Sequence, residues 1–371
     1  MFKYLISYLE VIINLLKRER WKCLELTMNK DKKSRIQDVA DLSGVSMMTV
    51  SRVLNRNSKV SEKTRSKVEA VLKDLNYQPN ISARRLASNK SFFLGLLYDN
   101  PSTSYVSQFL LSSLKVCRDS GYHLVVDEAD NNLSKTLDSI TALINITQVD
   151  GLILLPPVCD IPKVLETLTT ENIPFVRVSP NSQLNISPYV CMDDYQAAFE
   201  ITEQLIHQGH VNIAHIIGHP DVGASRLRYQ GFLDALRSNK INVPPEYIEQ
   251  GFFTYKSGLS ATQKLLSLTH RPSAIFASND DMAAAAISAA LMNNIHVPIT
   301  LSIVGFDDTL LASTVWPHIS TVRQPIKEMA KVAVELLVSG KFDDPSKTKS
   351  SDLRHVLDFE IIQRESSAEL N

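Results

Sequence analysis

The chain has 371 residues, of which 44% are apolar, 12 are glycine and 16 are proline. A single hydrophobic core stops growing near about 250–300 residues, so this length predicts a small module joined to a larger one. The ordinary glycine and proline content excludes collagen-like, low-complexity and long disordered architectures. The wide spacing of the four cysteines (Cys23, Cys117, Cys159 and Cys191) excludes a zinc site and a disulfide framework, and indicates reduced thiols in the cytoplasm.

Charge is distributed unevenly along the chain, although its net value is −1. Residues 1–91 contain 19 Lys and Arg against 9 Asp and Glu, which leaves 20 against 31 in the remaining residues. A basic head on an acidic body is typical of a nucleic-acid-binding module attached to a domain with another role. A solvated basic tail is the alternative interpretation.

The first 27 residues contain apolar positions at helical spacing, but Lys3 and Glu10 interrupt them. The run is shorter than the roughly 20 apolar residues of a membrane span, and no small-residue cleavage site of a signal peptide follows it. Two interpretations remain, an amphipathic accessory helix or sequence upstream of the start codon that the cell uses. We favour the second, with translation starting near Met28 and residues 1–33 forming an extension outside the folded domains.

Residues 36–55 have the pattern of two short helices joined by a tight turn. Val39 and Leu42 give the first helix an apolar side, and Gly44 suits the turn. Ser46 is a suitable N-cap for the second helix. The spacing therefore predicts a helix-turn-helix, for which an ordinary helical hairpin with solvated polar residues is the alternative.

The second helix of this pair has the features of a recognition helix. Helical periodicity turns Val50 and Val53 inward, and leaves an outward face near the helix start. Such a face meets base edges in the major groove, where arginine binds guanine and thioethers contact thymine methyl groups. The outward residues are Met47, Met48, Ser51 and Arg52.

A third helix begins at Ser61 and repeats apolar residues at core spacing. Pro79 stops the helical pattern, and Asn80 is a suitable cap for a further helix of about two turns. A helix so short does not persist alone in water, so it needs a partner.

In combination, these elements closely resemble the LacI/GalR family of bacterial transcription repressors. The resemblance covers residues 34 to about 365. The segments that carry it are Val39-Ala40, Thr49-Val50-Ser51-Arg52-Val53-Leu54-Asn55, Leu75-Asn76-Tyr77-Gln78-Pro79-Asn80 and Ala83-Arg84-Arg85-Leu86-Ala87.

The resemblance implies a helix-turn-helix DNA-binding domain at 34–79, a hinge helix and linker at 80–91, and an effector-binding and dimerisation domain at 92–371. In the hinge, Leu86 would enter the minor groove as an apolar wedge. The residues expected at palindromic operator DNA are Ser46, Met47, Met48, Thr49, Ser51, Arg52, Asn55, Lys59, Tyr77, Ala83, Arg84 and Leu86.

The body alternates apolar runs with helical patterns, which predicts an α/β fold of doubly wound parallel sheets behind an all-α head. The predicted strands are residues 92–97, 124–127, 151–155, 175–178, 213–217, 274–277 and 302–306, and the predicted helices are residues 107–120, 194–207, 226–238, 257–267 and 281–292. The resemblance implies two lobes like those of periplasmic sugar-binding proteins. The N-lobe covers about 92–192 plus 326–350, and the C-lobe about 193–322 plus 355–364.

Ligands of open α/β sheets bind beyond the carboxyl ends of the strands, where Asp99 and Ser179 occur in this sequence. The resemblance implies effector contacts at Arg226, Asn279, Asp307 and Gln324. Phe253 matches the family's aromatic stacking position more loosely. Charged and amide groups suit vicinal hydroxyls, and an aromatic face suits a pyranose. The expected effector-binding residues are Asp99, Tyr105, Ser179, Arg226, Phe253, Asn279, Asp307 and Gln324.

These features predict a cytoplasmic, homodimeric repressor of carbohydrate-utilisation genes, controlled by a mono- or oligosaccharide that either releases or promotes DNA binding. One alternative replaces the sugar by a purine or other corepressor, and another is a solute-binding protein for transport. The sequence contains no phosphate loop, nucleophile elbow or zinc-protease helix. We therefore expect no catalytic residues, metal site, cofactor or membrane association.

Overall fold

The computed structural model describes residues 35–54, 60–75, 77, 90–130, 132–340 and 354–370. The chain divides into two compact units, Met1–Lys90 and Ser91–Asn371. The predictions for residues 1–33, for Asn55 and Lys59, and for the hinge residues Ala83, Arg84 and Leu86 lie outside the described residues. None of the helices formed by the described residues has both the length and the hydrophobicity of a membrane span.

The first unit contains helices α1 (Ile36–Ser43), α2 (Met47–Leu54) and α3 (Glu62–Asp74). Gly44 ends α1 in the left-handed conformation, with φ of 61°, which glycine adopts without steric cost. Ser61 caps α3 by accepting a hydrogen bond from the Thr64 backbone N–H. The described core of this unit consists of Val39, Ala40, Val50, Val53 and Val68.

One predicted core residue of the head is on the surface. Leu42 was expected on the apolar side of α1, but 63% of it is exposed. Ser43 is buried instead, because its hydroxyl donates a hydrogen bond of 2.6 Å to the Val39 carbonyl one turn earlier. A local side-chain bond to the backbone therefore hides a polar residue at the position where periodicity alone favours leucine.

The second unit contains two six-stranded sheets, which confirms the doubly wound α/β body. The strands are β1 (Phe93–Tyr98), β2 (His123–Glu128), β3 (Gly151–Leu154), β4 (Phe175–Val178), β5 (Tyr189–Met192), β6 (Ile213–Ile217), β7 (Ile248–Gln250), β8 (Ala274–Ala277), β9 (Ser302–Asp307), β10 (Ser320–Arg323), β11 (Arg354–Leu357) and β12 (Glu360–Ile362). The first sheet has the order β11-β5-β4-β3-β1-β2, and the second β12-β10-β9-β8-β6-β7. All described strand pairs are parallel except β10 with β12.

Helices cover both faces of each sheet, so the central strands are buried on both sides. Every helix predicted in the body is present, with its start shifted by at most four residues. The helices are α4 (Thr103–Asp119), α5 (Leu133–Ala142), α6 (Pro162–Thr170), α7 (Asp194–His207), α8 (Gly223–Ser238), α9 (Tyr255–Ser267), α10 (Asp280–Met292) and α11 (Ile326–Val338).

The chain passes between the two lobes after β5, after β10 and between β11 and β12. Strand β11 pairs with β5 of the first sheet, whereas β12 pairs with β10 of the second. The predicted assignment of residues 355–364 to the C-lobe is therefore wrong for 355–357. A strand of four residues that is half-exposed carries too little local pattern to show which of two sheets it joins.

Candidate ligand cavity and nucleic-acid interface

Helix α2 presents an exposed face at its N-terminal end. Ser46 precedes it, and its hydroxyl accepts a hydrogen bond of 3.2 Å from the Thr49 backbone N–H. Met47 and Met48 are 48% and 64% exposed, whereas Val50 on the opposite side is completely buried. The helix is thus held by its apolar side while its first turn remains open to a partner.

Arg52 extends this face by one turn. Its guanidinium lies 3.4 Å from the Met48 sulfur, so the two side chains form one continuous surface. Ser51 is half-buried between this surface and the core. The exposed predicted residues of α2, Met47, Met48 and Arg52, therefore lie on one accessible side, and their contact with DNA stays a prediction.

Tyr77 is half-buried and packs against the core of the head. Its backbone N–H donates to the Leu72 carbonyl at 2.9 Å, and burial raises the pKa of its phenol. Its expected contact with DNA stays a prediction.

A small cavity lies between the two lobes of the second unit. Its walls come from loops after the carboxyl ends of strands in both sheets, the position at which open α/β folds bind ligands. Five of the eight predicted effector residues line it. The lining residues are Asn100, Ser102, Tyr105, Pro156, Ser179, Val222, Ala224, Arg228, Phe253, Asp307 and Gln324.

Arg228 is the central charged group of this cavity and is 5% exposed. Two of its nitrogens, Nε and Nη2, lie 2.9 and 2.8 Å from Oδ1 of Asp194. Its Nη1 donates a hydrogen bond of 2.6 Å to the Ser278 carbonyl. Its guanidinium carbon lies 3.6 Å from the centre of the Phe306 ring, a cation–π contact that fixes the plane of the group.

Asp307 lies on the other side of Arg228, with 3.8 Å between its Oδ1 and Nη1. Gln324 donates a hydrogen bond of 2.6 Å to the same Oδ1. Burial raises the pKa of the Asp307 carboxyl well above its ordinary value, and the neighbouring Arg228 opposes that shift. The pair of side chains presents an acceptor and an amide side by side, which suits two neighbouring hydroxyl groups.

The backbone at Asp307 is held in an uncommon conformation. Asp307 and Asp308 have φ of 117° and 54°, a region of backbone conformation that residues other than glycine rarely adopt. Asp308 accepts hydrogen bonds from Arg323 at 2.7 Å and Arg364 at 2.6 Å. These ion pairs fix the strained turn that points Asp307 into the cavity.

Phe253 supplies an aromatic wall and is 4% exposed. It also has a positive φ, 58°. Its carbonyl accepts a hydrogen bond of 2.9 Å from Asn279, which caps α10 at the same time by accepting from the Met282 N–H. A side chain on Gly218 would clash with the Phe253 ring, so that glycine makes room for the aromatic wall.

A buried arginine holds the loop that contributes Ser179. Arg177 is completely buried in β4, and it donates to the carbonyl oxygens of Ser182 at 2.9 Å and Gln183 at 2.7 Å. It also donates to the Ser187 hydroxyl at 2.9 Å. Each polar group of this arginine is thereby matched inside the protein, and the loop over the cavity keeps a fixed shape.

Three predicted effector residues do not line the cavity. Arg226 is exposed and donates a hydrogen bond of 2.7 Å to Asn181 in the other lobe. Asn279 donates its hydrogen bond to the backbone carbonyl of Phe253 and caps α10, so its side chain does not line the cavity. Asp99 is half-buried near Asp130 and His219, and burial raises the pKa of its carboxyl.

The correction from Arg226 to Arg228 follows from helix geometry. Two residues along a helix turn by about 200°, so Arg226 and Arg228 face opposite sides of α8. Arg228 precedes Gly231 and Phe232 by three and four residues, and all three are buried on one face. That spacing is visible in the sequence and could have identified Arg228.

Two family models match the chain. Residues 35–80 match "Bacterial regulatory proteins, lacI family", and residues 202–367 match "Periplasmic binding protein-like domain". Among characterised relatives, the HTH-type transcriptional regulator DegA of Bacillus subtilis (strain 168) is 34% identical over 341 residues, which cover 91% of this chain and 99% of DegA.

Two solved structures share the whole architecture. The complex of the transcriptional regulator CelR with cellobiose is 27% identical with a TM-score of 0.68, over 90% of this chain and 100% of that chain. The lac repressor dimer bound to operator and the anti-inducer ONPF is 26% identical with a TM-score of 0.70, over 91% of this chain and 100% of that chain. With a helix-turn-helix head, a two-lobed body and a relative matched over nearly its full length, this chain belongs to the LacI family of bacterial transcriptional regulators.

Proposed function

We propose that this protein is a transcriptional repressor of carbohydrate-utilisation genes, whose binding to operator DNA is controlled by a small sugar in the cavity between its lobes. The observation that carries the proposal is the pairing, in one chain, of an exposed recognition-helix face with a cavity lined by hydroxyl-binding groups. The cavity alone would also suit a transport protein, whereas the recognition-helix face favours a regulator.

The DNA side of the proposal assigns base reading to the start of α2. In the major groove, Met47 and Met48 would contact thymine methyl groups, and Arg52 would bind guanine. The lac repressor to which this chain is similar binds its operator as a dimer. For this chain we infer a homodimer on a palindromic operator, with one head in each half-site.

The effector side assigns hydrogen bonding to Arg228, Asp307 and Gln324, with Asn100 and Ser179 on the opposite wall. Phe253 and Tyr105 would cover the apolar face of a sugar ring. The similarity to a regulator in complex with cellobiose supports a carbohydrate ligand.

The proposal is tested by measuring fluorescence anisotropy of a palindromic operator, selected from random DNA, with and without sugars. We expect specific DNA binding that at least one sugar changes. Asp307→Ala should keep operator binding and lose the sugar response, because Asp307 belongs to the cavity alone. Absence of sequence preference would contradict the regulator, whereas a response that survives Asp307→Ala would contradict the assigned cavity.

A further inference from the structure

We propose that the effector is an uncharged polyhydroxyl compound, a neutral sugar, and that the cavity rejects sugar phosphates and uronic acids. This inference rests on the proposed function, and it adds the charge class of the ligand. It comes from the charges that surround the cavity before any ligand enters.

Among the lining residues that the structure describes, Arg228 is the one cation, and it is already paired. Asp194 is 3% exposed and receives both Nε and Nη2 of Arg228 within 2.9 Å. The Ser278 carbonyl accepts a hydrogen bond from Nη1. Three of the five N–H groups of this guanidinium are thereby used, and its side-on face, formed by Nε and Nη2, is occupied by Asp194 and is not open to a phosphate or a carboxylate.

A second carboxylate lies next to the same guanidinium. Asp307 is 3% exposed and 3.8 Å from Arg228. If both acids are ionised, the group of Arg228, Asp194 and Asp307 has a charge of about −1, and if Asp307 is protonated the charge is about zero. Neither state compensates an anion. A protonated Asp307 would donate a hydrogen bond to a hydroxyl, which again suits a neutral ligand.

His215 adds no charge to the group of Arg228, Asp194 and Asp307. His215 is completely buried and its Nδ1 lies 3.0 Å from the Phe276 carbonyl. Burial lowers the pKa of His215 to about 3, so the ring is neutral near pH 7 and adds no positive charge.

Three weaker sources of positive potential are outweighed. The N-termini of α4 and α8 meet the cavity at Ser102 and Ala224, and each helix end corresponds to about half a positive charge. The end of α4 is already compensated by the Asp281 carboxylate, which accepts hydrogen bonds from Ser102 and Ser104, and the end of α8 carries less than the full charge of one carboxylate. Arg226 is exposed to solvent, where water and salt screen its field.

The other polar lining groups are neutral. Asn100, Ser102, Ser179 and Gln324 are amides and hydroxyls, and burial raises the pKa of the Tyr105 phenol so that it stays protonated. These groups come from several loops around the cavity. Hydroxyls distributed around a ring satisfy such a set better than one concentrated charge.

Isothermal titration calorimetry on the full chain, without DNA, tests the inference with matched sugars: glucose, glucose 6-phosphate and glucuronate; galactose and galacturonate; ribose and ribose 5-phosphate; with cellobiose and hypoxanthine added. We expect at least one neutral sugar to bind, and its anionic partner to bind about 100-fold more weakly, since a buried uncompensated charge is strongly disfavoured. An anionic sugar that binds as tightly as its neutral partner would overturn the inference and leave the sugar effector intact. Binding of hypoxanthine alone, or of nothing in the panel, would overturn the sugar effector itself.

A variant pair tests the cause. Asp194→Asn removes the charge that neutralises Arg228, so the preference for the neutral sugar should narrow by about tenfold. Asp193→Asn, an exposed neighbour in the same segment, should leave the ratio unchanged. If Asp194→Asn folds with an unchanged ratio, the charge argument is wrong. Asp307→Asn offers an independent measurement of the same ratio if the first variant does not fold.

Discussion

The hydroxyl of Ser102 in the first lobe donates a hydrogen bond of 3.0 Å to Oδ2 of Asp281 in the second lobe. Ser104 donates to the other oxygen of the same carboxylate at 3.3 Å. Asn181 and Arg226 make a further bond between the lobes, at 2.7 Å. The bonds join residues from both lobes near the cavity, so the relative orientation of the lobes and the shape of the cavity are linked.

We therefore expect Asp281→Ala to weaken effector binding about tenfold, because hydrogen bonds to a charged group contribute about 1.5–3 kcal/mol. Operator affinity without effector should also change, since the substitution shifts the orientation of the lobes. Calorimetry and operator titration measure the two effects. Asp138→Ala, at an exposed position of α5, is the control, and equal behaviour of both variants would show that the bonds to Asp281 do not contribute to the orientation of the lobes.

The two arginines of α8 give a second prediction. Arg228→Lys should lower effector affinity by about tenfold or more, because lysine cannot keep the planar contacts with Asp194 and Ser278 together. Arg226→Lys should change affinity less than about threefold, since that side chain is exposed. Calorimetry on both variants, with circular dichroism to verify folding, distinguishes them. A larger loss of effector affinity in Arg226→Lys than in Arg228→Lys would assign the ligand contact to Arg226.

A third prediction concerns base reading by α2. Met48→Ala should reduce discrimination between operator and random DNA by about tenfold, since loss of recognition of one base pair costs about 1–3 kcal/mol. The salt dependence of binding should stay the same, because a thioether neutralises no phosphate. Leu42→Ala is the matched control, as Leu42 is equally exposed but lies on α1. Unchanged discrimination in Met48→Ala would show that this side chain does not read bases.

Strong local patterns made the body predictable from sequence. Strands β4, β6 and β8 have their predicted bounds because each is a short, mainly apolar run buried inside a sheet, which Arg177 in β4 and His215 in β6 interrupt at one position each. Strand β10 was missed since its Ser320 and Thr321 are polar. They are buried through bonds to Arg364 and Asp280, more than 40 residues distant in sequence. The pattern of a few neighbouring residues does not show that such distant partners exist.

The cavity was predictable for the same reason and to a similar degree. Residues at strand ends, such as Asp307 as the last residue of β9 and Ser179 directly after β4, reach it because parallel strands end at one edge. Asn279 also follows a strand, but it satisfies the orphan N–H groups of α10 and the Phe253 carbonyl instead. The choice between a cap and a ligand contact depends on what packs opposite, which spacing does not specify.

The last prediction uses the buried histidine beneath the cavity. His215 is stacked on Phe232 with 4.8 Å between ring centres, and burial lowers its pKa from 6.5 to about 3. The unfolded chain therefore binds a proton between these pH values while the folded protein does not. The stability from neutral His215 is fully present above pH 6.5 and is lost as the pH falls towards 3. One such proton corresponds to about 1.4 kcal/mol per pH unit.

His215→Gln should lower the free energy of unfolding at pH 7, because it removes the stacked ring. It should also flatten the pH dependence of that free energy between pH 6.5 and 5 by about that slope. Urea unfolding at pH 7.0, 6.0 and 5.0 measures both quantities. His270→Gln, a substitution of an exposed histidine, should reproduce the wild-type slope. If His215→Gln retains the wild-type slope, His215 is not the group that resists protonation, and His210, whose pKa burial also lowers, becomes the residue to substitute.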